Sequence, residues 1–463
     1  MNIGIEIELP VVDREGNAAS YESVRNLFKK LAERHDFEPY FDSFTTQLIG
    51  VRKRQETGWI DVGTDYGFCT LEVAFPPEDG FFSVQAAWNR FMDGVLLPVL
   101  AEEELHILGY GCQPKTETPR AKYVAAKGHY RLWDKIVDQH PIHFSFENWP
   151  GFASLQFNLD VSPESIVLAS NSLIKLSPVI WAWGANSSVS GSKVLSISSL
   201  RVEGYRTLAE MNPFFQGRLN FPRRLFASLE DYMLQAWEQP MFEVVRERTI
   251  YYPVNPDLST LEFAHLGEAE FIDLHDRRRT LFCEPSDLAQ GLIFYWPAVR
   301  MKLQLDLNQS VETILTAMTT GSARDVLKNQ GGNSFIEIRH LPAMSRTETF
   351  SWLALFLGCL GDIESCDRLT RDLRLEEVCF SSGEVLTQGW ETSLHDRSLG
   401  DWGRELLDIA TRSLERRELA LLPFIEPLAR RLQERASPAR ESVESFDRDG
   451  IDGLIEKLKI VRL

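Results

Sequence analysis

The sequence contains no CxxC pair, and its six cysteines (Cys69, Cys112, Cys283, Cys359, Cys366, Cys379) are widely scattered. That pattern argues against a structural zinc site and a disulfide framework, and it predicts reduced thiols that serve as ordinary buried residues. His140, His143 and His340 are not spaced to share a metal on one helix face. Neither a GxxxxGK[ST] loop nor a GxGxxG turn is present, so any nucleotide must be held without a glycine-rich phosphate cradle. Positive charge is scarce: 49 Lys and Arg stand against 67 Asp and Glu, for a net charge of −18. Such acidity argues against nucleic acid or an anionic membrane as the main partner. It leaves room for an anionic substrate where metal ions reverse the local sign. Long apolar runs are missing too. The most apolar helical stretch, Phe350 to Leu360, is too short to span a bilayer. The opening Asn2-Ile3-Gly4-Ile5-Glu6 lacks the basic start and apolar core of a signal peptide. We therefore expect a soluble, cytoplasmic protein. No repeat, low-complexity run or linker divides the chain. A single domain over 1–463 is predicted, with helical additions that include a C-terminal part from about 403 onward.

What is present is a series of alternating strands. Apolar residues make up 44% of the chain, enough for a large core. Ile3, Ile5, Ile7 and Leu9 alternate with Gly4, Glu6 and Glu8, which puts two carboxylates on one face of a first strand. Thr70 to Ala74 reads as another strand, ended by Pro76 and Pro77, with Glu72 facing away from Leu71 and Val73. Asp65 precedes it across a turn carrying Gly67. Leu155 to Val161 places Gln156, Asn158 and Asp160 together, and Phe335 to His340 does the same for Glu337 and Arg339. Val194 to Glu203 reads as a strand carrying Arg201. Helices are predicted over Ser20–Arg34, Phe82–Leu105 (interrupted near Pro98), Tyr123–Val137, Leu229–Arg246 and Thr347–Leu360, with one or two more over Trp402–Arg435. His140 to Gly151 reads as a loop, and Ala436 to Asp449 as a loosely packed polar tail.

Aspartate and glutamate are poorly represented in strands. Carboxylates gathered on one sheet repel one another unless cations sit between them. Ligands that are all oxygen select hard ions such as Mg²⁺ or Mn²⁺. Arg201 and Arg339 could then hold phosphate or carboxylate with two hydrogen bonds each. Together these point to metal-dependent phosphate chemistry, against the plainer alternative of a solvated sheet face.

The motifs also resemble a known family. Gly4-Ile5-Glu6-Ile7-Glu8 resembles the opening strand of glutamate–cysteine ligases, and Thr64-Asp65-Tyr66 with Leu71-Glu72 is similar to their metal-binding turn and strand. Gly109 to Lys115, Lys127-Gly128-His129-Tyr130 and Ser154 to Asp160 resemble the plant-type branch. Gly184-Ala185-Asn186-Ser187, Ser199-Leu200-Arg201, Phe335 to Arg339 and the late helix around Ser413 to Arg417 follow in the expected order. The resemblance implies an α+β fold of the glutamine synthetase type, a curved, largely antiparallel sheet forming a funnel with helices outside. It implies metal ligands at Glu6, Glu8, Asp65, Glu72, Gln156 and Glu337. It also implies catalytic phosphate or carboxylate contacts from Arg201 and Arg339, with Lys127 and Asn158 in the binding site.

The activity so implied uses ATP and Mg²⁺ to join the γ-carboxylate of glutamate to the amine of cysteine through γ-glutamyl phosphate, without a covalent protein intermediate. Another amine, or a catalytically silent relative that senses ligands, are the alternatives. Two segments depart from the family, Val73 to Pro77 and His340 to Met344. Both are expected where a substrate is held, and their bulk predicts apolar walls that admit cysteine and, in its place, 2-aminobutyrate. Asp306 and Asn308 offer another candidate for the late Glu-x-Arg position. The helix that follows Arg339 favours Glu337, with 303–334 read as an insertion.

Overall fold

The computed structural model describes residues 1–137, 147–331 and 334–462. The opening alternation forms β1 (Asn2–Val12), the strand around which the main sheet is built. Four further strands extend one side: β2 (Glu38–Phe41), β3 (Leu48–Arg54), β4 (Trp59–Thr64) and β5 (Thr70–Ala74). Short strands β6 (Glu78–Asp79) and β7 (His106–Ile107) pair with the two ends of β1. β8 (Ser154–Asp160), β9 (Val299–Lys302) and β10 (Phe335–Pro342) extend the other side. The order is β9-β10-β8-β1-β5-β4-β3-β2, and every pairing is antiparallel.

Register decides which side chains meet, because residues directly opposite in an antiparallel pair share a face. Glu6 lies between Ala74 and Gln156, and Glu8 opposes Glu72. Asn158 lies between Gly4 and Glu337, and Glu337 opposes Arg300. The polar residues of five strands therefore project from one side. The other side carries Ile3, Ile5, Ile7, Leu71, Val73, Leu155, Phe157, Ile336 and Ile338, all buried. Helices Tyr21–His35, Phe81–Phe91 and Arg346–Gly361 cover it, with Phe157 against Phe356 and Phe75 stacked on Trp88. Burying such rings on an apolar sheet face is the dominant stabilising term here.

Several expectations are corrected. Arg201 is not on a strand: only Lys193 and Val194 are extended, and Arg201 sits in the first turn of helix Leu200–Met211. A short apolar alternation fits either period, and packing against the core decides between them. The helix expected over Leu229–Arg246 ends at Trp237, because Pro240 cannot continue it, and Val244–Arg246 is a strand. That strand opens a four-stranded antiparallel sheet, Val244 to Phe282, packed around Met241, Tyr251, Leu258, Phe263 and Phe271. The expected polar tail is helix Pro438–Leu458, whose first turn is capped by Ser437. It buries Ala439, Ser442 and Ser445, small residues that leave no apolar periodicity to read. The interruption expected near Pro98 is a π-helical turn over Met92–Leu96. His140 and His143, with most of the loop expected there, lie outside the described residues. Among the described residues, no single helix is long and apolar enough to cross a membrane.

Candidate active site

The polar face of the sheet contains two unlike groups of charge. At its centre Glu6, Glu8 and Glu72 face one another from β1 and β5, with Asp65 on the turn that enters β5. The backbone N–H of Asp65 donates to Thr70 O at 3.1 Å and closes that turn. All three glutamates are held above the ordinary carboxylate range. Burial is the first cause in each, followed by Glu337 for Glu6, Asp65 for Glu8 and Glu6 for Glu72. Glu8 is pushed up to about 8. Lys127 opposes the rise at Glu72, and its Nζ donates to Thr64 O at 2.5 Å.

Toward β9 the balance reverses. Glu337 is 1% exposed, and three cations converge on it. Lys302 Nζ lies 2.6 Å away, Arg339 Nη1 2.7 Å and Arg300 Nε 2.9 Å. Burial works to raise its pKa, but the charges of Arg300, Lys302 and Arg339 outweigh that and hold it far below the usual range. Gln156 links the two groups. Its Nε2 donates to Glu8 at 3.2 Å and to Ser154 Oγ at 3.1 Å, while its Oε1 accepts from Arg339.

Among the described residues, no three Cys, His, Asp or Glu side chains close on one point as a preformed metal cage. The donor chemistry nonetheless suits a hard divalent cation at Glu6, Glu8, Asp65 and Glu72: all are oxygen donors, and the three glutamates are raised by burial and by neighbouring carboxylates. Asn158 Oδ1, on the same face, is buried without a hydrogen-bond partner. Glu337 and Gln156 fit less well as ligands. Glu337 is committed to three cations and Gln156 to Arg339, Glu8 and Ser154, and both orient Arg339 instead. Arg201 is 2% exposed, donates to Arg339 O at 3.2 Å and lies over the Tyr205 ring at 4.6 Å. It stands behind the site wall. Asp306 lies outside the sheet and accepts from Asn308 and Gln309 in its own turn.

A cavity of about 220 Å³ opens beside this face, with Glu8, Asp65 and Arg339 along one part of its wall. Aromatic rings form most of the remainder. Tyr66 comes from the turn before β5, Tyr130 and Trp133 from helix Gly128–Val137, and Trp149 from a short 3₁₀ turn. Tyr205 comes from the helix that begins beside Arg201, while Phe294 and Trp296 flank the end of helix Pro285–Ile293. Sequence reasoning missed these rings, along with Arg300 and Lys302. The alternation Arg300-x-Lys302, paired with Glu337-x-Arg339, was the available signal for the cations. For the rings it was the density of Tyr130, Trp133, Phe294 and Trp296 (Trp181 and Trp183, by contrast, are packing residues with indole N–H bonds to His340 O and Leu428 O).

The chain is 22% identical over 433 residues to the chloroplastic glutamate–cysteine ligase of Medicago truncatula, covering 92% of this chain and 74% of that protein. It is 22% identical over 450 residues to the chloroplastic enzyme of Solanum lycopersicum, covering 95% and 75%. This chain is similar in sequence to glutamate–cysteine ligases over most of its length. Its fold is also that of a solved relative: glutamate–cysteine ligase from Francisella tularensis, in complex with AMP, superposes with a TM-score of 0.57 at 12% identity, covering 99% of this chain and 87% of that one. No protein-family model matches the chain. This similarity corrects the expectation of a cytoplasmic location, because the relatives from Medicago truncatula, Solanum lycopersicum, Nicotiana tabacum and Oryza sativa subsp. indica are all named chloroplastic.

Proposed function

We propose that the protein is an ATP-dependent carboxylate–amine ligase that activates the γ-carboxylate of glutamate and transfers it to an amine. The observation that carries this reading is the convergence of Glu6, Glu8 and Glu72 on one sheet face, beside Arg339 and an open cavity. A carboxylate is a poor acyl donor until its oxygen is phosphorylated, and Arg339, anchored through Nη1 to Glu337 and Gln156, is placed to bind the phosphoryl group as charge builds on it. Mg²⁺, or Mn²⁺ in its place, held by Glu6, Glu8, Asp65 and Glu72 would offset charge on the nucleotide phosphates. Gln156 and Glu337 keep the guanidinium in position. Arg201 supports it from behind through the Arg339 carbonyl, which makes it a positioning residue. The chain works as one catalytic unit, with helices Leu399–Arg417 and Leu422–Glu434 packed on helix Arg346–Gly361 behind the sheet.

The names of the relatives support cysteine as the amine, with γ-glutamylcysteine as the product. A second reading keeps the chemistry and changes the amine, and the aromatic cavity favours it. Neither departing segment lines that cavity. Phe75 packs beneath the sheet on Trp88, and His340 is buried against Ser177 Oγ at 2.9 Å. Incubation with ATP, Mg²⁺, glutamate and a panel of amines, read as ADP release and product mass, tests the reading. Glutamate-dependent ADP formation with a γ-glutamyl product is the expected result, and its absence with every amine would exclude this activity.

A further inference from the structure

We propose that the acceptor is a primary amine with an aromatic body, seated in the ring-lined cavity with its nitrogen toward Arg339. This rests on the ligase reading above and names the class of its second substrate.

The walls carry the first part of the case. Tyr205, Trp149, Tyr66, Trp133, Trp296 and Phe294 form a continuous series of ring contacts. Their centroids are separated in turn by 4.7, 6.2, 6.2, 5.3 and 5.6 Å. Such a series offers both ring faces and ring edges to a flat apolar guest. The side chain of cysteine would cover little of it, whereas one more aromatic ring continues the pattern already present.

Position carries the second part. The cavity that the rings line also opens on Arg339. The Arg339 guanidinium donates to Glu337 and Gln156, and it is the group placed to meet the phosphoryl oxygens. An amine seated among the rings therefore has its nitrogen on the side of the activated carboxyl.

The step balances without another reagent. ATP transfers its γ-phosphoryl group to the glutamate γ-carboxylate, giving γ-glutamyl phosphate and ADP. The ammonium nitrogen gives up a proton to water, and its lone pair attacks the γ-carbon. The C–N bond forms, the C–O bond to phosphate breaks, and the nitrogen loses a second proton as inorganic phosphate leaves.

Phenethylamine, cysteine, 2-aminobutyrate and methylamine, each with ATP, Mg²⁺ and glutamate, distinguish the outcomes by product mass and kcat/KM. The expected result is γ-glutamyl phenethylamide, with phenethylamine exceeding cysteine by about tenfold or more, the scale on which apolar pockets discriminate. A preference for cysteine overturns the aromatic acceptor and leaves the ligase reading standing. Trp133→Ala, and Trp296→Leu as a milder truncation, should each lower the preference for phenethylamine over methylamine by about tenfold; an unchanged preference in both folded variants overturns the proposed seat. If no amine supports glutamate-dependent ADP formation, the ligase reading fails. Calorimetric titration of phenethylamine then decides the cavity alone: saturable binding weakened by Trp133→Ala supports it, and no binding overturns it.

Discussion

Glu72 shows how much a neighbourhood changes a single side chain. On a solvated strand it would be an ordinary carboxylate, but here burial and Glu6, Asp65 and Glu8 all raise its pKa. Glu72→Gln removes a charge that the apo fold accommodates poorly. We expect activity to fall by at least about 100-fold, the scale of losing one electrostatic catalytic group, while the melting temperature stays level or rises. Wild-type turnover in a folded Glu72→Gln protein would remove this carboxylate from the mechanism. Arg339→Lys should likewise lose most turnover, since lysine cannot span Glu337 and Gln156 while presenting a second donor edge. Asp306→Asn should be nearly neutral, because that carboxylate serves its own exposed turn. Steady-state ADP release on the pair separates the two placements of the late motif. The carboxylates were legible from alternation alone. That Glu337 is claimed by three cations was not, because Arg300 and Lys302 meet it only through the pairing of β9 with β10.

At the scale of elements, the turn between β4 and β5 is where local sequence and distant packing meet. A Cβ added to Gly67 would lie 1.9 Å from the carbonyl oxygen of Pro150, a backbone atom that cannot rotate away. Gly67→Ala should therefore displace the turn, and Asp65 and Tyr66 with it. We expect a destabilisation of about 1–3 kcal/mol in denaturant unfolding, with a larger proportional loss of activity. Unchanged stability and turnover would mean that the turn does not position the site. A second element-scale feature explains the segment after Arg339. The pairing of β10 with β8 shifts by one residue between Ile338 and Leu341. This bulge returns Leu341 to the apolar side, and His340 is buried beside Ser177. The segment was expected to wall a substrate site, and it faces the apolar side instead, because a change of strand parity leaves no local composition signal.

For the whole molecule, the acidic face links stability to pH and to metal. Glu8 has a folded pKa of about 8, above its unfolded value, so the unfolded chain binds fewer protons between the two. Stability of the metal-free protein should therefore fall as pH rises from about 5 to about 8, most of it through this face. Added Mg²⁺ should raise the melting temperature at pH 8 more than at pH 5; at 100 times the dissociation constant for pH 8 the stabilisation there is about 2.7 kcal/mol. Glu72→Gln should blunt that rise. Scanning calorimetry with and without chelator checks it, and an equal metal effect at both pH values would count against the shared site. All six cysteines are free and four are buried. We accordingly expect melting to be indifferent to reductant.

What the sequence determined by itself was the set of strand faces and their acidic chemistry. Period-2 alternation is a local property, so Ile3 to Leu9, Leu71 to Val73 and Ile336 to Ile338 declared their buried side, and the glutamates their open one. The order of motifs was legible for the same reason, each being a short contiguous run. Tertiary structure alone decided which charges neutralise one another and what encloses the substrate. Among the described residues, the rings of the cavity come from six separate segments, and the cations on Glu337 come from two strands. Neither grouping has a period along the chain, since it exists only after register and long-range packing bring the segments together.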